Sequence, residues 1–151
     1  MSSSELSAVL APALASTALE PVARIVCTNG PGSLIAALAA VPVELREKPV
    51  LNDYVFGDYL IFAHVRPFID ARADMYGGAM LGVYLKIADG DEAAVKETLA
   101  RYRIAWTIFA PTARIVGVLD REHGWRRLYA DDVAVVQVRV DALPTVSPPG
   151  L

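Results

Sequence analysis

Ile104-Ala-Trp-Thr-Ile-Phe109 is a mostly apolar run of strand length, the pattern of a central strand, and Pro111 ends it. Beyond it the period changes. Thr112 is placed to cap a helix over residues 113–122, and Gly124 stands where a helix-ending glycine is expected. Trp125-Arg-Arg-Leu-Tyr129, the pair Asp131-Asp132 and Val133-Ala-Val-Val-Gln-Val-Arg-Val140 then predict a β-hairpin whose turn has no glycine. A buried strand, a helix and a hairpin in succession put the chain in the α/β class, with helices covering a sheet.

Working outward, Asp91 caps a helix that runs to Tyr102. On it Ala94, Val95, Leu99 and Tyr102 share one face, while Glu92, Lys96, Glu97 and Arg101 take the other. A helix from about residue 79 to 87 precedes it and breaks at Asp89-Gly90. Pro49-Val-Leu-Asn52 and Arg66-Pro-Phe-Ile-Asp70 read as short strands that end in polar residues. The apolar run Phe56 to Ala63, interrupted by Gly57-Asp58, fits helix or strand.

Ser33 caps an Ala-rich helix from Leu34 to Val41 that Pro42 stops, and Glu44-Leu-Arg-Glu-Lys48 is a charged connector. Residues 23–28 form a β-rich run closed by the turn Asn29-Gly-Pro-Gly32. The expectation is a single layered α/β domain over residues 23–140: a mixed, mostly parallel sheet with a C-terminal antiparallel hairpin. Residues 1–22 read as a leader or appended segment of low order, and residues 141–151, with three prolines, as a tail.

With 151 residues, 54% of them hydrophobic and 21% charged, the chain has the composition of one globular domain, not of a disordered or collagen-like one. A net charge of −3 gives no broad cationic footprint for a phosphate backbone, so nucleic acid is not an expected partner. The mean hydropathy of +0.38 is high for a chain with no uninterrupted apolar run of ~20 residues. Cys27 is the one cysteine and sits in a buried-looking strand, where a thiol behaves as a small hydrophobe. Neither His64 nor His123 has metal-ligand spacing around it, so no metal and no cofactor is expected.

The residues most able to carry chemistry are Asp53, Tyr54, Asp70, Arg72, Asp74 and Tyr76. Two strand ends rich in carboxylates would meet at the carboxyl edge of the sheet, where open α/β sheets place ligands. Such a group can bind a cation, a sugar or a phosphate-bearing headgroup. The reading favoured for it is a structural arrangement in which Arg72 pairs with Asp53 or Asp70 and ties two loops together.

Val50-Leu-Asn-Asp-Tyr-Val-Phe-Gly-Asp-Tyr-Leu-Ile61, followed by Arg66-Pro-Phe-Ile-Asp-Ala-Arg-Ala-Asp-Met-Tyr-Gly77, resembles a sequence block of a known family. That family is the C-terminal extramembrane domain of polytopic bacterial membrane proteins similar to dolichyl-phosphate-mannose-type (GT-C) glycosyltransferases. The segments at 102–108 and 124–136 are similar to its closing pattern, so the likeness spans about residues 31–140. Asp58 and Ala71 depart from it, each standing where the family has glycine.

The resemblance implies a domain without a complete active site, attached at the extracytoplasmic (periplasmic) face of a membrane. It would bind or position a substrate or partner, such as a lipid-linked sugar or the membrane-embedded portion of the parent protein. Two alternatives stand beside it. One is a free-standing hydrolase or transferase using Asp53 and Asp70 as acid and base. The other is an interaction module that pairs with a second copy of itself through exposed apolar surface.

Overall fold

A computed structural model describes residues 33–145, apart from 73, 74 and 76. The expected leader, the strand at 23–28 with Cys27, the turn at 29–32 and residues 146–151 lie outside the described residues. The Ser33 hydroxyl accepts a hydrogen bond from the Ala36 N–H at 3.1 Å and caps α1 (Leu34–Ala39). Pro42 ends that helix and opens α2 (Val43–Arg46), a single turn inside the expected connector. Then come β1 (Val50–Asn52), a 3-10 turn (Tyr54–Phe56), α3 (Gly57–Phe62), α4 (Gly77–Ala88), α5 (Glu92–Arg101) and β2 (Trp106–Phe109). The chain continues through α6 (Arg114–Arg121), β3 (Trp125–Ala130), β4 (Val135–Arg139) and a 3-10 turn (Val140–Ala142).

The four strands lie in the order β1-β2-β4-β3. Leu51 stands opposite Thr107 in the parallel β1–β2 pair, and Thr107 opposite Gln137 in the antiparallel β2–β4 pair. β4 and β3 form the hairpin, with a register shift between Arg127 and Tyr129. The sheet is mixed, as expected, but among the described residues one strand pair is parallel and two are antiparallel. The cause is the position of β4, which inserts beside β2 and so adds an antiparallel pair of its own to that of the hairpin.

Both faces of the sheet are covered. Trp106, Ile108, Val136 and Val138 pack with Leu34, Leu38, Leu45 and Leu60 from α1, α2 and α3. Leu51, Phe109 and Val135 pack on the opposite side with Ile87, Val95, Leu99, Ile115 and Leu119 from α4, α5 and α6. Every residue of β1 and β2 is therefore buried, which is why both read as mostly apolar, with Asn52 and Thr107 the polar exceptions.

Three local devices set the connections. At the end of α4 the Asp91 N–H donates to the Lys86 carbonyl and the Gly90 N–H to that of Ile87, with Gly90 at φ +82. A side chain at Gly90 would also meet the Arg114 Cβ at 2.9 Å. In the hairpin, the Asp131 carboxylate accepts from the Val133 and Ala134 N–H groups at 2.8 Å each, which does the work of the missing glycine. At α6 the expected Thr112 cap is corrected. The Ala113 N–H bonds to the Ala110 carbonyl, the turn takes up Thr112, and Ala113 holds the N-cap position without a side-chain bond.

A larger correction concerns Arg66–Asp70, which is a loop and not a strand. Ile69 and Asp70 are nevertheless fully buried. A side chain, not a strand ladder, holds them there.

Candidate functional site

Asn52, the last residue of β1, is fully buried. Its Oδ1 accepts from the N–H groups of Phe68 (2.7 Å) and Ile69 (3.3 Å). Its Nδ2 donates to the carbonyls of Ile69 and Asp53, both at 2.8 Å. All the hydrogen-bonding capacity of the amide is used, so the loop is held to the strand end as firmly as a paired strand would be.

Asp53 follows and closes the strand ends. Its N–H donates to the Ile108 carbonyl at 2.8 Å. Its carboxylate accepts from the N–H of Val55 on one oxygen and of Ala110 on the other, both at 3.3 Å. Tyr84 of α4 lies beneath, and its hydroxyl accepts from the Tyr54 N–H at 2.8 Å, close to the Asp53 carboxylate. Burial, reinforced by the Asp53 charge, pushes the Tyr84 phenol up to about 12. The Tyr54 ring lies at the surface, tilted against that of Tyr84 with centroids 6.4 Å apart.

Asp70 is completely buried, and Arg72 closes over it. The guanidinium Nε bonds to Oδ1 at 3.1 Å and Nη2 to Oδ2 at 2.9 Å, and the Arg72 N–H adds a 2.8 Å bond to Oδ1. The Arg72 side chain as a whole remains 61% exposed, so the fork caps the buried carboxylate from the solvent side. Gly57 makes this depth accessible: a Cβ there would sit 2.3 Å from the Ile69 carbonyl oxygen and 2.6 Å from the Asp70 Cα. The Asp58 carboxylate accepts from the Ala71 N–H at 3.3 Å.

The structure thus places Asp53 and Tyr54 in one hydrogen-bonded group at the end of β1, and Asp70 with Arg72 in a second group directly after the Phe68–Ile69 segment that Asn52 holds. Asp74 and Tyr76 lie outside the described residues. Among the described residues no group of three or more His, Cys, Asp or Glu side chains is placed to hold a metal ion. No helix among them is long and apolar enough to cross a membrane.

A second feature was not expected. The loop that Asn52 anchors runs on into a groove of about 550 Å³ at the other end of β1, lined by Arg46, Lys48, His64, Arg66, Phe68 and Tyr102 among others. These residues come from α2, its connector to β1, the loop after α3 and the end of α5. No window of sequence holds them together, and the one hint was the basic character of residues 46–48 and 64–66 on either side of an apolar segment.

Comparison of the chain with family models, with curated proteins and with solved structures finds no match.

Proposed function

We propose that this chain is a non-catalytic domain that binds or positions a ligand at the extracytoplasmic face of a membrane, as part of a glycosyltransferase-like membrane protein. The observation that carries the non-catalytic part is the Asp70–Arg72 fork. An acid/base pair of carboxylates needs both groups open to substrate across a cleft. Asp70 is instead buried under a guanidinium, and Asp53 is occupied with backbone N–H groups at two strand ends. The most distinctive residues of the block therefore serve to hold a loop. The tie to a membrane protein is supported by the resemblance of residues 50–61 and 66–77 alone.

Two experiments test these parts separately. Incubation of the purified chain with activated aryl glycosides should give no turnover; hydrolysis that disappears in Asp53→Asn would establish the carboxylate-enzyme alternative instead. Genomic DNA flanking the coding region should show hydrophobic spans in frame or in an adjacent gene for a membrane glycosyltransferase-like protein. Flanking sequence with neither overturns the membrane tie.

A further inference from the structure

Cations gather in the groove beside β1 although the chain as a whole is acidic. Arg46, Lys48 and Arg66 face it with one carboxylate, Glu47, and His64 stands on the rim. Arg46 and Lys48 each use one donor to brace the wall: Arg46 Nε bonds the Val41 carbonyl at 2.9 Å and Lys48 Nζ the Ala142 carbonyl at 2.7 Å. Their remaining donors, and the whole guanidinium of Arg66, have no carboxylate partner among the described residues. An open concavity with several cations and few anions raises the local concentration of anionic ligands.

The remaining wall is apolar and aromatic. Phe68 and Tyr102 meet edge to face, with centroids 5.1 Å apart and planes at 86°, above a floor of buried Val50 and Ile104. A bare inorganic anion would leave that surface unused, whereas a ring carried by the anion would cover it. The position is held rigidly, because Asn52 grips the Phe68 N–H.

The backbone adds a second indication. His64 is at φ +60, at the end of α3, where the Val65 N–H returns to the Leu60 carbonyl in the helix-ending pattern that glycine fits at least cost. An imidazole kept at such a position, on the rim of a cationic groove, costs stability that glycine would not.

We propose that this groove is a binding site for a ring-bearing phosphate ester, with Arg66 and His64 on the phosphate and Phe68 and Tyr102 against the ring. The proposal rests on the reading of the chain as a ligand-positioning domain and names the ligand class. The test is calorimetric titration of the full chain with adenosine diphosphate, glucose 1-phosphate and inorganic pyrophosphate, alongside sedimentation with phosphatidylcholine vesicles with and without phosphatidic acid.

At least one ring-bearing ester should bind saturably and more tightly than pyrophosphate. Arg66→Ala and Arg66→Gln, each checked for an unchanged melting curve, should weaken it about tenfold or more. Arg126→Ala, which removes an exposed cation on β3, should leave it unchanged. Equal or tighter binding of pyrophosphate, an equal loss in Arg126→Ala, or capture by phosphatidic acid vesicles without binding of either ester overturns the proposal. Because no turnover is measured here, failure leaves the non-catalytic reading intact, and glycoside turnover would leave the groove intact.

Discussion

Asn52 shows how much one buried amide can decide. It replaces a strand ladder for the Phe68–Ile69 segment, and its removal strands two N–H groups and a carbonyl inside the protein. Each such unsatisfied group costs about 1–3 kcal/mol. Asn52→Ala should therefore destabilise the domain by roughly 3 kcal/mol or more, read as a lowered midpoint in urea unfolding. Tyr84 offers a test by pH. Its folded value lies near 12 against an ordinary 10.0, so the contribution of the neutral phenol is complete below pH 10 and is lost as pH rises through 12. In an alkaline titration followed by tyrosinate absorbance, Tyr84→Phe should delete the latest phase, and stability should fall less steeply between those two values in the variant than in the parent chain; Tyr59, also raised by burial, adds its own loss in both.

Among the elements, the helix ends carry the clearest compromise. α3 and α5 both finish with a non-glycine residue in the left-handed region, His64 at φ +60 and Arg103 at φ +51. In each case the next residue returns its N–H to the last turn: Val65 to Leu60, and Ile104 to Leu99. Arg103→Gly should raise stability by about 0.5–1 kcal/mol, measured as an increase in Tm, because glycine adopts that conformation without the Cβ clash. Within the sheet, Thr107 and Gln137 are directly opposed and buried, yet the Thr107 hydroxyl and the Gln137 Oε1 have no hydrogen-bond partner among the described residues. Gln137 Nε2 by contrast bonds the Val116 carbonyl and Asp120, and Arg127 holds the Asp120 carboxyl below its ordinary range. Thr107→Val should thus be neutral or stabilising in thermal unfolding, unlike most substitutions of a buried residue.

For the molecule as a whole, the two-sided core predicts an order of local stability. β2 and β4 are central and buried almost throughout, whereas β3 is an edge strand whose residues are exposed or half-buried. Native-state hydrogen exchange should find the slowest amides in β2 and β4 and markedly faster exchange along the outer side of β3. Uniform protection across all four strands would mean that the edge of β3 is covered by something further.

Signals confined to a few neighbouring residues were legible without a structure. Ser33 and Asp91 cap their helices as expected, Asp89-Gly90 breaks α4 from α5, and the apolar runs of β1 and β2 are strands because helices cover both faces. Thr112 misled by one residue because the Ala113 N–H turns back to the Ala110 carbonyl, which puts Ala113 and not Thr112 at the N-cap. Arg66–Asp70 has the composition of a strand, but its burial comes from an amide sixteen to seventeen residues away, which no period in the sequence reports.

The candidate site divides in the same way. The amino-acid sequence alone determined that Asp53 and Tyr54 stand at the polar end of the short segment that becomes β1, since that needs only proximity along the chain. Only the tertiary structure decided that Asp70 and Arg72 neutralise each other, and that the cations left open lie at the opposite end of β1. The physical reason is that pairing and burial depend on distances between segments. Capping and periodicity depend only on residues within one turn or one pleat.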